Sequence, residues 1–148
     1  MSLHERSALT GLAPGEQLLA HHVVVPVKSA KGVKLNVHGH GRLGGQLGDH
    51  LTQHIGAASG GAGSVAGQLP ATSGALLMRV TDQRVGLVRT TDGAPVWEVP
   101  RAWVVRVERR PRLQLMARFR VHYSDGSWLA FLTMRRRTIE SLRGLLGG

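Results

Sequence analysis

The chain has 148 residues, of which 42% are hydrophobic, and its formal net charge is +10 with the histidines neutral. This length suits one domain with a core of its own, and the absence of cysteine excludes disulfides and thiolate-bound metals within the chain. The positive charge favours acidic partners, namely nucleic acid, anionic lipid or an acidic protein, and a solvated basic surface is the simplest alternative.

Residues 1–10 are predicted to form an N-terminal tail, either loose or as a short helix, ahead of a single domain over residues 11–148. The opening residues lack the apolar run of a signal peptide. No window approaches the roughly 20 uninterrupted apolar residues that a spanning helix needs. We therefore expect a cytoplasmic protein without a transmembrane helix.

A first strand is predicted from about Leu18 to Lys28, because this run is rich in β-branched residues and Pro26 marks an edge or an end. Residues 29–32 have the composition of a turn. A second strand is predicted after them, because apolar residues alternate with polar ones: Val33, Leu35 and Val37. These two strands would form a hairpin with lysines around its turn.

Residues 39–74 are rich in glycine and are predicted to be an insertion between strands. Within them, apolar residues at a spacing of four predict a weak helix: Leu43, Leu47, Leu51 and Ile55. The run from Ala57 to Gly67 is nearly all glycine, alanine and serine, so we expect a flexible connector. Residues 43–67 also suit packing against a second copy of the chain, contact with a membrane, or a helix over an open end of the sheet.

Short apolar runs separated by turn residues predict an antiparallel sheet in the second half of the chain. The predicted strands cover residues 76–81, 84–90, 96–99, 102–109 and 115–122, with one more after the turn at 124–126. Trp103, Val105 and Val107 are predicted to share one face of their strand. The run from Arg110 to Arg112 is expected to break the ladder, because it contains a proline.

The last hairpin has two conceivable registers. A two-residue turn would set Phe131 opposite an arginine. A three-residue loop with Gly126 in the left-handed position would set Val121 opposite Leu129, and Phe119 opposite Phe131. The second register gathers the large apolar groups on one face, so burial is expected to select it.

Residues 135–146 are predicted to form a C-terminal amphipathic helix. Its apolar face has helical spacing: Ile139, Leu142, Leu145 and Leu146. Thr133 or Thr138 is expected to cap the N-terminus, and Gly147 is expected to end the helix.

A resemblance to the bacterial pleckstrin-homology-like (PH-like) and GRAM-like domains is carried by the runs VTDQRVGLV, VWEVPRAWVVRVE and FRVHYSDGSWLAF and by the final helix. The opening GLAPGEQLLAH also resembles the segment that often precedes such domains. The resemblance covers residues 76–146 well and 11–38 loosely. It implies an α+β, mostly β fold: a partly open barrel of two antiparallel sheets, with about seven or eight strands, capped by the C-terminal helix. It also implies a non-catalytic adaptor for lipid head groups or proteins, without naming a ligand.

Two groups of basic residues are candidate anion sites near loops. One group surrounds the first hairpin turn: Lys28, Lys31 and Lys34. The resemblance implies a head-group site there, although the arginine that usually closes that motif is absent. The other group stands at the helix end that disfavours cations: Arg135, Arg136 and Arg137. Exposed and solvated side chains are the simpler interpretation of both groups.

A third candidate lies on a predicted strand. Arg118, Arg120 and His122 should project from one face of the sheet, with Trp128 beside His122. A basic strand face with an aromatic residue also suits single-stranded nucleic acid, although one tryptophan is a small stacking platform.

Other chemistry has weaker support. His50 and His54 lie four residues apart and are candidates for a metal site, but the glutamate of a zincin motif is absent, so solvent-facing histidines are preferred. Residues 39–44 match GxGxxG, yet no acidic residue follows about 20 positions later, so no nucleotide cofactor is expected. No nucleophile has a base nearby in sequence, and the acidic residues are scattered.

The sequence therefore predicts a non-catalytic PH-like binding or scaffold module, for an acidic protein or an anionic head group, that binds through sheet edges and basic loops. A nucleic-acid-binding protein that uses the arginine-rich strand face is the main alternative. A histidine-based metal protein is the third hypothesis. Peripheral membrane contact and a homo-oligomer through residues 43–67 are compatible with each of these.

Overall fold

A computed structural model describes residues 1–30 and 57–148 of the chain, with side chains except at residues 29–30. In this part of the chain the protein is mostly β, with one antiparallel sheet and a helix near each end. The helices and strands are α1 (Leu3–Leu9), β1 (Leu18–Pro26), α2 (Val27–Ala30), β2 (Ala58–Ser59), β3 (Leu76–Thr81), β4 (Arg84–Val88), β5 (Pro95–Pro100), β6 (Val104–Leu113), β7 (Met116–Tyr123), β8 (Trp128–Thr133) and α3 (Arg136–Leu146).

The described strands follow the order β5-β4-β3-β1-β8-β7-β6, and β2 also pairs with β8. Strand β1 belongs to both halves of this sheet. Its residues up to Val24 pair with β3, whereas Val25 and Pro26 pair with β8. The inner faces of the two halves contribute to one hydrophobic cluster, so the sheet bends around a shared core. Strands β5 and β6 do not pair within the described residues, so the sheet there is not closed.

The predicted register of the last hairpin is confirmed. Val121 lies opposite Leu129 and Phe119 lies opposite Phe131, and Gly126 has a φ of +87°. The two phenylalanine rings are stacked with centroids 5.3 Å apart. Burial of these large residues selects the three-residue loop over the two-residue turn, because a one-residue slip would carry the whole set to the other face of the sheet.

Helix α3 packs against the core, as its apolar stripe predicts. Ile139 and Leu142 are buried and belong to the main hydrophobic cluster. Two hydrogen bonds join the end of the helix to β6 and to the turn that precedes it. The Val107 amide of β6 donates to the Gly147 carbonyl at 2.8 Å, and Arg101 of the turn donates to the Leu145 carbonyl at 2.8 Å. These contacts satisfy carbonyls that a helix C-terminus otherwise leaves without partners.

The predicted threonine cap of this helix is wrong. Arg135 occupies the N-cap position, and no side chain bonds to the free amides there. The Thr133 hydroxyl donates instead to the Val23 carbonyl of β1 at 3.2 Å. Thr138 lies within the first turn, where its own amide donates to the Arg135 carbonyl.

The N-terminal segment takes the helical alternative and packs on the sheet. Ser7 and Ala8 of α1 are buried. Arg79 of β3 is 0% exposed, and it donates to the carbonyls of Ala8 and Thr10 at 2.9 and 2.6 Å. Because α1 and the turn after it cover the outer face of this half of the sheet, β3 is buried along its whole length.

Part of the glycine-rich insertion differs from the prediction. The run expected to be a flexible connector contains β2, which pairs with β8, and a 3-10 turn at Ala66–Gln68. Ala66 is 0% exposed, and its amide donates to the Ser127 hydroxyl at 3.1 Å. Residues 31–56, with the predicted second strand and the helical stripe, lie outside the described residues.

Three strand predictions need correction. β1 ends at Pro26, so Lys28 lies in α2 rather than in the strand. β6 continues through Pro111 to Leu113, where a shift in pairing accommodates the proline. Another shift, between Val104 and Arg106, turns Val105 outward, so it is 55% exposed while Val107 is buried.

Candidate anion-binding face

The outer side of β6, β7 and β8 carries several charged side chains in register, and we call this surface the arginine face. Alternation defines it, because every second residue of β7 is buried and the others point outward. Its members are Arg106, Glu108 and Arg110 on β6, Arg118, Arg120 and His122 on β7, and Trp128 on β8.

Strand register brings these side chains into rows. Glu108 lies opposite Arg120, and Arg110 lies opposite Arg118. His122 lies opposite Trp128, as the sequence predicts. Side chains that face each other across antiparallel strands lie within reach of one another, so the guanidinium groups share one small area of the sheet.

Glu108 is the one acidic residue among the members of this face. It accepts hydrogen bonds from His122 at 2.8 Å and from Arg110 at 3.2 Å, and Arg106 lies 4.0 Å away. The hydrogen bond from His122, followed by that from Arg110, outweighs burial and lowers the pKa of Glu108. This single carboxylate therefore balances only part of the positive charge.

The two central arginines of β7 are crowded by other cations. Partial burial, and then the neighbouring charges of Arg110 and Arg120, lower the pKa of Arg118. Burial and Arg110 act in the same direction on the pKa of Arg120. Because guanidinium groups stay charged at neutral pH, this repulsion persists across the neutral range.

Trp128 is engaged within the face. The guanidinium carbon of Arg120 lies 3.8 Å from the centre of its ring, which is close enough for a cation–π interaction. The indole also packs against a small cluster built on Val27, Ala130 and Leu132. The ring surface that a nucleic-acid base would stack on is therefore occupied by Arg120.

The other predicted anion-site residues that the structure describes are not members of the arginine face. Lys28 donates to the Ala66 carbonyl at 3.3 Å, while Lys31 and Lys34 lie outside the described residues. The remaining group is exposed around the start of α3: Arg135, Arg136 and Arg137.

The two candidate metal ligands, His50 and His54, lie outside the described residues. Among residues 1–30 and 57–148, no group of three or more histidine or acidic side chains is arranged to hold a metal ion. No helix in those ranges is long and apolar enough to cross a membrane.

The sequence pattern does not predict the Glu108–His122 pair. In the structure, β6 pairs with β7 so that Glu108 lies opposite Arg120. The sequence predicts instead that the ladder breaks at Arg110, and this expectation conceals the register. The register shift beside Val104 is equally invisible in the pattern, because nothing in the residue types marks it.

No family model matches the chain, and no curated protein matches it. Function is therefore inferred from the charges and geometry of the arginine face.

Proposed function

We propose that this chain is a non-catalytic, PH-like binding module that holds an anionic ligand on the arginine face. The observation that carries the proposal is the crowding of four arginines, Arg106, Arg110, Arg118 and Arg120, around one carboxylate. Such a surface is stabilised by an incoming anion, because guanidinium groups form strong charge-assisted bonds with carboxylates and phosphates. A cytoplasmic location belongs to the same proposal.

Two features support the PH-like part. The sequence runs that carry the resemblance fall on β3–β4, β5–β6 and β7–β8. The antiparallel sheet bends around one core, and the C-terminal helix packs on that core. Since a fold of this kind serves many ligands, the ligand class is taken from the site and not from the resemblance.

Binding through the face is favoured over binding through sheet edges. Strand β6 carries Pro111, which has no amide to donate, and its Val107 amide already bonds to Gly147. Strand β5 begins and ends with proline. Proline and occupied amides on an edge strand oppose the addition of another strand.

A role in binding rather than catalysis follows from the chemistry of the face. Arginine stays protonated near neutral pH, so it does not act as an acid or a base there. The Glu108 carboxylate, whose pKa is lowered, is held by His122 and Arg110. These groups are suited to holding charge in place.

Single-stranded nucleic acid is the alternative ligand for the same face. Stacking on an aromatic ring supplies much of the affinity in such proteins. Here Arg120 covers the ring of Trp128 at 3.8 Å, so a base would first have to displace a cation–π contact. Carboxylate or phosphate groups need no such displacement, and we favour them.

The test is fluorescence anisotropy with labelled polyglutamate, at low and at physiological salt. We expect the parent protein to bind, and the double variant Arg118→Gln/Arg120→Gln to bind at least about tenfold more weakly, since each lost charge-assisted contact is worth roughly 1.5–3 kcal/mol. The matched control is Arg6→Gln/Arg89→Gln, which removes the same charge from α1 and the β4–β5 turn and should retain most of the affinity.

Equal losses in the two double variants would contradict the proposal, because the effect would then be one of net charge alone. Absence of binding by the parent protein would do the same. A labelled oligothymidylate provides the other arm: tight binding that is lost in Trp128→Ala would favour the nucleic-acid alternative.

A further inference from the structure

One end of the molecule combines positive charge with exposed apolar side chains. It consists of the β6–β7 hairpin, residues 110–116, and the β8–α3 junction, residues 134–137, and we call it the hairpin end. Ala117 pairs with Thr133, so both segments leave the sheet on the same side. These two segments contain five arginines and no aspartate or glutamate.

A cleft of about 310 Å³ lies at the hairpin end, between β6 and the start of α3. Its basic lining is Arg109, Arg110, Arg112 and Arg136, over the apolar side chains of Ala117 and Ile139. Its volume falls near the lower end of the roughly 300–1,000 Å³ typical of small-ligand sites.

The arginines of this cleft have spare donors. Arg109 lies 3.8 Å from Glu140, and Arg110 lies 3.2 Å from Glu108. In the described part of the chain, the buried Nε of Arg110 has no hydrogen-bond partner. Arg112 and Arg136 have no acidic side chain within ion-pair distance in residues 1–30 and 57–148. Several N–H groups are thus available to an incoming anion.

The same two segments carry exposed apolar side chains. Leu115, at the tip of the hairpin, is 78% exposed, and Met134, at the start of the junction, is 66% exposed. The tip is held by Gln114, which has a φ of +52°, in a region that non-glycine residues seldom adopt. The turn therefore directs a leucine outward next to the arginine-lined cleft.

We propose that the hairpin end docks on an anionic phospholipid surface. Leu115 and Met134 enter the boundary between head groups and acyl chains, and the cleft arginines hold lipid phosphate groups. This inference goes beyond the proposed function, because it assigns a second surface that shares only Arg110 with the arginine face. A membrane fits better than a water-soluble polyanion because it offers negative charge and apolar volume side by side, and the hairpin end presents complements to both.

The first test is flotation of the full chain with phosphatidylcholine vesicles that either contain or lack phosphatidylglycerol. We expect binding only to the anionic vesicles. Arg112→Gln/Arg136→Gln should lower the partition coefficient about 25-fold, from about fivefold per charge, and Leu115→Ala should lower it at least about tenfold. The controls are Arg6→Gln/Arg89→Gln and Val105→Ala. Val105 is also an aliphatic residue, 55% exposed, but it lies at the other end of β6 from Leu115.

The second test locates the contact. Because the chain has no native cysteine, Leu115→Cys takes one environment-sensitive fluorophore. Its emission should shift to the blue with phosphatidylglycerol vesicles, whereas the same label at Val105→Cys should not respond. A response at Val105→Cys alone, or from neither position, would overturn the inference.

Polyglutamate binding separates this inference from the proposed function. If the parent protein binds polyglutamate but neither vesicle type, the docking surface is wrong and the arginine face stands. If Leu115→Ala weakens polyglutamate and vesicle binding alike, the leucine acts on the fold, and the docking role fails. If the parent protein binds neither probe, both proposals fail.

Discussion

At the scale of residues, one carboxylate joins the N-terminal segment to the sheet. Glu16, whose side chain is 1% exposed, accepts two bonds from Arg84, at 2.8 and 2.9 Å, and one from the Thr81 hydroxyl at 2.6 Å. Burial alone would raise the pKa of Glu16, but these bonds, with one from the Ala13 amide, hold it at about 2. The glutamate of the opening GLAPGE run is therefore a structural residue.

Replacing this carboxylate by Glu16→Gln should destabilise the fold in a pH-dependent way. The lowered pKa stabilises the folded state above the ordinary value of 4.5, and this contribution disappears as pH falls through about 2. At neutral pH the expected loss is roughly 3 kcal/mol, and at pH 3 about half of that or less. Urea unfolding at both pH values measures it.

The control for this prediction is Glu140→Gln. Glu140 is 55% exposed, and its ion pairs with Arg109 and Arg143 are 3.8 and 3.5 Å long, so its loss should cost less than about 1 kcal/mol. A Glu16→Gln penalty that is the same at pH 3 and pH 7 would show that the carboxylate charge contributes nothing.

At the scale of elements, the two glycines at the end of α3 have opposite roles. Gly147 follows the helix with a φ of +97° and a ψ of 151°, a conformation that side chains avoid, and an added Cβ would lie 3.3 Å from the Val105 carbonyl. Gly144 lies exposed inside the helix, and a Cβ there would meet nothing within 4 Å.

We therefore expect Gly147→Ala to destabilise the protein by about 1–3 kcal/mol, and Gly144→Ala to stabilise it by up to about 1 kcal/mol. Thermal unfolding of the two variants beside the parent checks both signs. Equal effects would mean that the helix end does not need the backbone conformation that binds it to Val107.

The same elements show how far sequence reasoning reaches. The register of β7 and β8 and the apolar face of α3 were predictable, because large apolar residues recur with a period that only one arrangement buries. The continuation of β6 through Pro111 was not, because a proline breaks an internal ladder but is tolerated on an edge strand. That β6 is an edge strand depends on the order of the whole sheet.

Charged residues were harder to place than apolar ones. Arginine is seldom fully buried, yet Arg79 is 0% exposed and pairs with Glu98 at 3.1 Å. It is buried because α1 and the turn after it cover the outer face of β3. No residue pattern within β3 predicts this cover. Arg118 and Arg120 share one outward face of β7, as predicted, because strand alternation alone decides which way they point.

At the scale of the whole molecule, charge is distributed by role. Around Glu16 and Glu98 the arginines are satisfied by carboxylates and carbonyls and hold the fold together. On the arginine face one carboxylate, Glu108, lies among several arginines. The two segments of the hairpin end contain no aspartate or glutamate. Within the described residues, positive charge therefore exceeds negative charge on the arginine face and at the hairpin end.

The most direct measurement of this central claim is an NMR titration of the labelled full chain with unlabelled polyglutamate. The predicted result is that shifts concentrate at the amides of Arg118, Arg120 and His122 and at the Trp128 indole, because the anion binds the guanidinium group that lies over that ring. Shifts confined to β3, β4 and β5, or spread evenly over every exposed arginine, would contradict an anion site on the arginine face.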